Sequence, residues 1–418
     1  MSDRLIFHID VNSAFLSWES VRRVENGEQD LRLIPAVIGG NPQKRTGIVL
    51  AKSIPAKKYG IKTGEPMAMA LRKCPYLISA PADFRQYDKC SKAFKAICKS
   101  YAPAMESFSI DEVFLDMTGT SFIYPDPIAT AHKIKDQIKE ELGFTVNVGI
   151  GPNKLCAKMA SDFEKPDKVH TLFIEEIPKK MWPLPIGELF SVGRSSAEKL
   201  QKEGITTIGQ LANANLGYVQ GILGSKFGKH VHNYANGIDD DPVIEERERE
   251  KSYSVETTVE ENLEDYESID RMLLAQADIV SARIRRDHVK SSCIAVTYRT
   301  TSFKNKNHQR KLDHSTDVTM EIYEVAKELI RECWNRQPLR LIGLSLSEID
   351  DGSFEQLSFF KDEKKEKLRR LDMALDNIRG RYGNASVQRV STMDTLKKVG
   401  RKHQAKHENE VSEKNKKN

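Results

Sequence analysis

The stretch SFSIDEVFLDM, residues 107–117, limits the folds open to this chain more than any other. Its apolar residues and short length read as a buried or half-buried strand, yet Asp111 and Glu112 sit side by side in its middle. An ionised carboxylate in a low-dielectric interior is costly and two neighbours repel each other, so positive charge has to compensate them. Asp10 offers a third carboxylate, because in LIFHIDVNSAF an apolar strand runs directly into a polar turn. If the two strands are neighbours in one sheet, three carboxylates face a common point. Such a cluster suits two hard cations, and Mg²⁺ fits because it keeps waters and accepts phosphate oxygens. Successive strand residues point to opposite faces, so a turn or bulge is expected at residues 110–112. The alternative is an exposed hairpin tip.

Three composition breaks divide the 418 residues: WPLPIGELF at 182–190, the acidic DDDPVIEERERE at 239–250, and IDDGSFEQ at 349–356. Before the first break, apolar strands (LIFHIDV, GIVLAKS, SIDEVFLDM, FTVNVGIG) alternate with helical stretches, which argues for a mixed α/β domain. Residues 187–237 read as short helices. Gly193 and Gly204 form turns around a helix starting near Ser195, a helix-hairpin-helix pattern able to hold a phosphate on backbone N–H groups, the alternative being an ordinary αα-hairpin that carries Gly. Residues 251–349 read as strand, helix, strand, basic segment, helix and strand, a small α+β domain with a polar, basic sheet face.

Location matters more than the net charge of +5. Residues 361–418 hold 17 Lys and Arg against 9 Asp and Glu, leaving 48 against 51 before them, so the basic surplus lies in the tail, whose end is expected to be disordered. Within the body, residues 288–312 carry no acid but contain Arg299, Lys304, Lys306, Arg310 and Lys311 among aromatic and hydroxyl residues. That mixture suits phosphate-backbone contacts, the alternative being a solvated loop. The six cysteines show no C-x-x-C pair and read as reduced and structural. No run of about 18 apolar residues and no basic-then-apolar leader is present, so a cytoplasmic protein is expected.

HIDVNSAF, SIDEVFLDMTG, GIGPNKLCAKMASDFEKP and the glycine hairpin after Pro185 occur in an order and spacing that resembles the Y-family of translesion DNA polymerases, closest to its DNA polymerase IV branch. The resemblance implies a multidomain α/β and α+β right hand: palm at 1–11 and 83–180, small fingers at 12–82, a helical thumb at 181–243, a linker at 244–250, a little finger at 251–350, and a charged tail at 351–418. It implies that Asp10, Asp111 and Glu112, with the carbonyl of Val11, hold two Mg²⁺ ions for nucleotidyl transfer. Phe15 matches the gate that excludes a 2′-hydroxyl, with core packing as its alternative role, and Lys165 matches the lysine that reaches the triphosphate. The implied partners of this monomer are primer-template DNA, deoxynucleoside triphosphates and a sliding clamp. Clamp binding falls to Gln356, Leu357, Phe359 and Phe360, which resemble a clamp-binding pentapeptide.

The fingers depart from the family pattern. LAKSIPAKKYG offers Ala51, Ile54 and Lys57 where Thr, Tyr and Arg are usual, leaving Lys52 and Lys57 to hold the triphosphate. Ala14 stands where an aromatic is common, and extra room beside Phe15 is expected. The resemblance itself implies template-directed, low-fidelity synthesis past damaged DNA, with small fingers that close loosely and no segment left for a proofreading exonuclease. A two-metal nuclease and a catalytically silent DNA-binding scaffold are the rival readings.

Overall fold

In the computed structural model, which describes residues 4–41, 47–245, 249–350, 363–384, 386–392 and 395, the chain divides into two units. One comprises Met1–Gly39, Val49–Glu65 and Ala70–Arg247, the other Gly40–Ile48, Pro66–Met69 and Glu248–Asn418. Among the described residues no helix is long and apolar enough to cross a membrane, and all six cysteines are free thiols.

The first unit is built on strands β1 (Ile6–Val11), β2 (Ala36–Gly39), β3 (Val49–Lys52), β4 (Ile78–Ala80), β5 (Ala104–Ser107), β6 (Glu112–Asp116), β7 (Val146–Gly151) and β8 (Val169–Thr171). Five of them form a sheet in the order β5-β6-β1-β7-β8, and β3-β2-β4 form a smaller one. Every residue of β1 and β7 is buried, which explains their near-continuous apolar sequence at the sheet centre. Phe7, Ile9 and Val11 join the core that includes Phe94, Ile97, Ile134 and Ile138 of the helices Phe84–Lys99 and Pro127–Leu142. His8 points the other way, with Nδ1 2.8 Å from Ser161 Oγ of the helix Lys154–Asp162. That helix lies unusually close to β7. A Cβ on Gly149 would stand 2.0 Å from the Ala157 carbonyl oxygen, and one on Gly151 would stand 2.7 Å from the Cβ of Cys156. The glycines of VNVGIG therefore set the approach that delivers the helix's lysines to the sheet.

The stretch 107–117 is not one strand. Ser107 ends β5, residues 108–111 turn, and Glu112 opens β6, so the expected turn exists but belongs to a hairpin. The remainder of this unit packs four helices, Arg194–Lys202, Ile208–Ala212, Leu216–Leu223 and Ser225–Ala235, around Leu200, Ile208, Leu211, Val219 and Val231.

The second unit holds β9 (Ser252–Leu263), β10 (Lys290–Thr300), β11 (Asn305–Thr316) and β12 (Leu339–Asp350) in an antiparallel sheet ordered β11-β10-β12-β9. The helices Tyr266–Arg286 and Thr319–Cys333 cover one face through Leu273, Ile284, Ile322 and Leu329. The basic segment, expected between elements, lies within β11, an edge strand whose charges discourage further pairing.

The tail holds the helix Glu363–Tyr382, which packs on this unit through its polar side. Asp372 and Asp376 pair with Arg285 at 3.4 and 2.6 Å, and Arg379 pairs with Asp278 at 2.8 Å. Leu371 and Ile378 stay exposed. Leu368 and Leu375 are half-buried, so the apolar row Leu368, Leu371, Leu375 and Ile378 is split, because the buried Asp278 and Arg285 demand charged partners first.

Candidate active site

Three acidic positions meet at one end of the five-stranded sheet. Asp10 is the direct partner of Glu112 on β6 and of Asn147 on β7, so these three side chains share a face. Val11 N–H donates to the Asp111 carbonyl at 3.0 Å, stitching the hairpin turn to the strand after Asp10. The turn itself is tight. Phe108 and Ser109 N–H donate to the Glu112 carbonyl at 3.1 and 3.2 Å, and Ser109 Oγ donates to Asp111 Oδ1 at 2.7 Å. From the helix beneath, Lys95 Nζ donates to the Ser109 carbonyl at 2.7 Å and Ser91 to that of Ile110.

Two lysines carry the compensating charge. Lys165 donates to Asp10 and lies 2.8 Å from Asp162, while Lys158 Nζ lies 2.9 Å from Glu112 Oε1. Burial pushes the Asp10 carboxyl up to about 6, with the Lys165 ammonium pulling the other way. For Lys165, burial works toward a lower value, but Asp10 and Asp162 outweigh it and hold the ammonium above its ordinary range. His8, beneath Asp10 on the same face, is held neutral by burial and by both lysines. Among the described residues, no three acidic, His or Cys side chains form a group arranged to hold a metal ion. The donor chemistry nevertheless fits one. Hard carboxylate oxygens oppose each other across β1 and β6 and already attract cations, which Lys158 and Lys165 supply as ammonium groups.

Phe15 extends from the helix Ala14–Glu25 into an aromatic cluster. Its ring stacks on Tyr87 at 4.8 Å and meets Trp18 and Phe84 edge-on at 5.9 Å each, leaving it half-buried. Ala14 is only 5% exposed within the core, so neighbours fill the room expected beside Phe15. Ala51 is buried and Ile54 exposed. Lys52 Nζ donates to Thr63 Oγ1 at 3.2 Å, and burial followed by the charge of Lys57 lowers its pKa. Lys57 is exposed at the end of the helix Ile54–Lys57.

Gly193 caps the helix Arg194–Lys202, Gly204 follows it with φ +82°, and the next helix opens on a capping box of Thr207 and Gln210. In the second unit, strand register sorts the basic residues. Ile294, Val296 and Tyr298 face the helices, and so do their partners Arg310, His308 and Lys306. Arg310 pairs with Glu328 and Glu332 at 2.5 Å each. Lys306 and Arg310 therefore do not belong to the open sheet face with Arg299 and Lys311. Arg299 donates to Asn305 Oδ1 at 2.6 Å, Lys311 lies 2.5 Å from Glu348, and Lys304 sits in the turn before β11. Gln356, Leu357, Phe359 and Phe360 lie outside the described residues.

The impB/mucB/samB family matches residues 9–162, its C-terminal domain matches 250–359, and the DNA polymerase-iota thumb domain matches 187–239. DNA polymerase IV of Clostridium acetobutylicum is 43% identical over 399 residues, covering 94% of this chain and 100% of the relative. The chain belongs to the Y-family DNA polymerases, in the DNA polymerase IV group. It is a DNA-directed DNA polymerase of the translesion class. DNA polymerase IV of Alkaliphilus oremlandii is 36% identical, covering 93% of this chain and 98% of its own, and DNA polymerase IV 1 of Bacillus subtilis is 33% identical over 93% of each. A solved Y-family DNA polymerase chimera of Dbh and Dpo4 superposes with a TM-score of 0.73 at 25% identity, covering 82% of this chain and 99% of that one.

Sequence reasoning missed three polar residues of this site. Lys158 sits in a slot between the Phe108 and Phe190 rings, 5.2 and 5.3 Å from their centroids. Asn12 and Asn147 are buried and hydrogen-bonded to each other at 3.0 Å. The available signal was a lone Asn inside the otherwise apolar strand VNVGIG, since a buried amide demands partners.

Proposed function

We propose that Asp10, Asp111, Glu112 and the Val11 carbonyl hold two Mg²⁺ ions and that this site joins deoxynucleotides to a primer 3′ end. The observation that carries this reading is the register of Asp10 opposite Glu112, with Val11 N–H bonded to the Asp111 carbonyl. When bound, the ions supply a lowered pKa for the 3′-hydroxyl and charge stabilisation for the leaving pyrophosphate. The chain's own residues do the rest. Lys165 exchanges Asp10 for the incoming triphosphate, Phe15 presents its open edge to the sugar, and Lys52 and Lys57 add point charges for the phosphates.

In this reading the five-stranded sheet is the palm, residues 12–82 the fingers, 181–243 the thumb and 251–350 the little finger. Gly193 and Gly204 offer backbone N–H groups to DNA phosphates, while Arg299, Lys304 and Lys311 follow the backbone along the open sheet face. The peptide Gln356, Leu357, Phe359 and Phe360 hangs the enzyme, as a cytoplasmic monomer, from a sliding clamp and raises its effective concentration at the primer end. Primer extension with Mg²⁺ on intact and damaged templates tests the reading. Asp111→Ala and Glu112→Ala should each cut incorporation on the order of 10³-fold with DNA binding retained, and near-parental activity in both would overturn it.

A further inference from the structure

We propose that Asn12 and Asn147 form a buried clasp that positions Lys165 beside Asp10, making them positioning residues for the incoming nucleotide. The inference rests on the reading of Lys165 as a triphosphate ligand. Asn147 is fully buried and uses all four of its hydrogen-bonding positions. Its amide nitrogen donates to the Ser161 carbonyl at 2.9 Å and to the Glu164 carbonyl at 2.6 Å. Its oxygen accepts from Asn12 Nδ2 at 3.0 Å and from Lys168 N–H at 3.3 Å. Carbonyls only accept, so these partners fix which way the amide points.

Asn12 completes the device from the other strand. Its oxygen accepts from Asp167 N–H at 3.0 Å and from Thr145 Oγ1 at 2.9 Å. Between them the two amides hold residues 161, 164, 167 and 168, on both sides of Lys165 in sequence. Asn12 lies two residues after Asp10, and Asn147 is the register partner of Asp10 on β7. The segment carrying the lysine is thereby tied to the strands that carry the carboxylate. Lysine has a long, flexible stem with several rotatable bonds, so the placement of its Cα decides whether the ammonium reaches one point or many. A network with every member satisfied rigidifies such a segment, whereas one missing member leaves buried carbonyls and an N–H without partners.

The test combines exchange and kinetics on the full-length chain. In the absence of substrate, Asn147→Ala should accelerate hydrogen exchange at the Lys168 amide, and Asn12→Ala should do so at Asp167. On primer-template, Asn147→Ala should raise the KM for deoxynucleotide about tenfold with a smaller change in kcat, as expected for one lost set of buried hydrogen bonds. In a Lys165→Ala background the same substitution should leave KM unchanged, because the residue acts through that lysine. An equal KM factor in both backgrounds would overturn the proposal, as would unaltered exchange at both amides. Lys165→Ala alone tests the underlying reading. If it leaves KM at the parental value, the triphosphate role fails, and accelerated exchange then still supports the clasp itself. Should Asn147→Ala fail to fold, Asn12→Ala carries the same kinetic cycle, since it removes only three of the bonds.

Discussion

Lys158 Nζ stands 2.9 Å from Glu112 Oε1, between the rings of Phe108 and Phe190. The lysine is almost fully buried, and it reaches Glu112 because Gly149 and Gly151 let its helix settle on β7. An ammonium there makes an acidic site foldable before any metal arrives, but it also competes with that metal for the same carboxylate oxygen.

Replacing Lys158 with Met, which keeps the apolar stem in its aromatic slot, isolates this competition. Without Mg²⁺ the variant should be less stable by about 1–3 kcal/mol, since Glu112 loses its charged partner. Added Mg²⁺ should then raise its melting temperature more than it raises the parent's. Calorimetric or fluorescence melting with and without the ion checks this, and an equal shift in both proteins would show that Lys158 does not oppose the cation.

Stability should also depend on pH through Asp10. Its carboxyl lies at about 6 in the fold against 3.8 for the free group, burial being the cause. A raised carboxyl contributes stability that is fully present below pH 4 and lost as the pH climbs through 6. In metal-free buffer, Asp10→Asn should therefore melt above the parent at pH 7, by at most about 3 kcal/mol, with the gap closing toward pH 4. A difference that stays constant across this window would refute the burial account.

Phe15→Ala separates the two roles of that ring. Loss of the contacts to Tyr87, Trp18 and Phe84 should lower stability by about 2–3 kcal/mol, less than for a fully buried Phe. If the open edge also screens the sugar, ribonucleotide incorporation rises while deoxynucleotide use changes less. Single-nucleotide insertion assays decide it, and unchanged discrimination would leave Phe15 as a packing residue only.

What could be read from residues alone followed burial closely. The neighbouring of the Asp10 and Glu112 strands was legible because each is a short apolar run with an acid at its end, and β1 and β7 were legible as apolar runs. Lys158 was not, since a Lys in KLCAKMASD looks like any helical lysine until glycine packing places it over Glu112. The faces taken by Lys306 and Arg310 were not legible because a polar edge strand hides its period of two, and register against β10 is what assigns each side chain a face. The packing face of the tail helix was not legible for a related reason. The surface it meets offers Asp278 and Arg285, and buried charges select charged neighbours, which the helix's own sequence does not reveal.

Clamp dependence can be read in two assays on one variant. With Leu357, Phe359 and Phe360 replaced by Ala, clamp-stimulated extension should vanish while single-nucleotide insertion persists, because tethering raises local concentration without touching chemistry. Equal stimulation of variant and parent would remove these residues from the clamp site.

Truncation after residue 362 should destabilise the second unit rather than trim an idle tail. Asp278 pairs with Arg379 at 2.8 Å and Arg389 at 3.5 Å, both from the tail. Asp372 accepts the Thr319 N–H at 2.8 Å, giving the helix Thr319–Cys333 the carboxylate that its own Val318 cannot supply at the N-terminus. Removing the tail strands a buried acid, unpairs Arg285 from Asp376 and uncaps a helix, which together should cost at least about 3–5 kcal/mol. The single substitution Arg379→Met should reproduce part of that loss, whereas Leu371→Ser, on the exposed side of the same helix, should stay within about 0.5 kcal/mol of the parent. Denaturant melts of the three proteins test the ranking. If Leu371→Ser proves the most damaging, the helix packs through its apolar stripe and the charged interface is wrong.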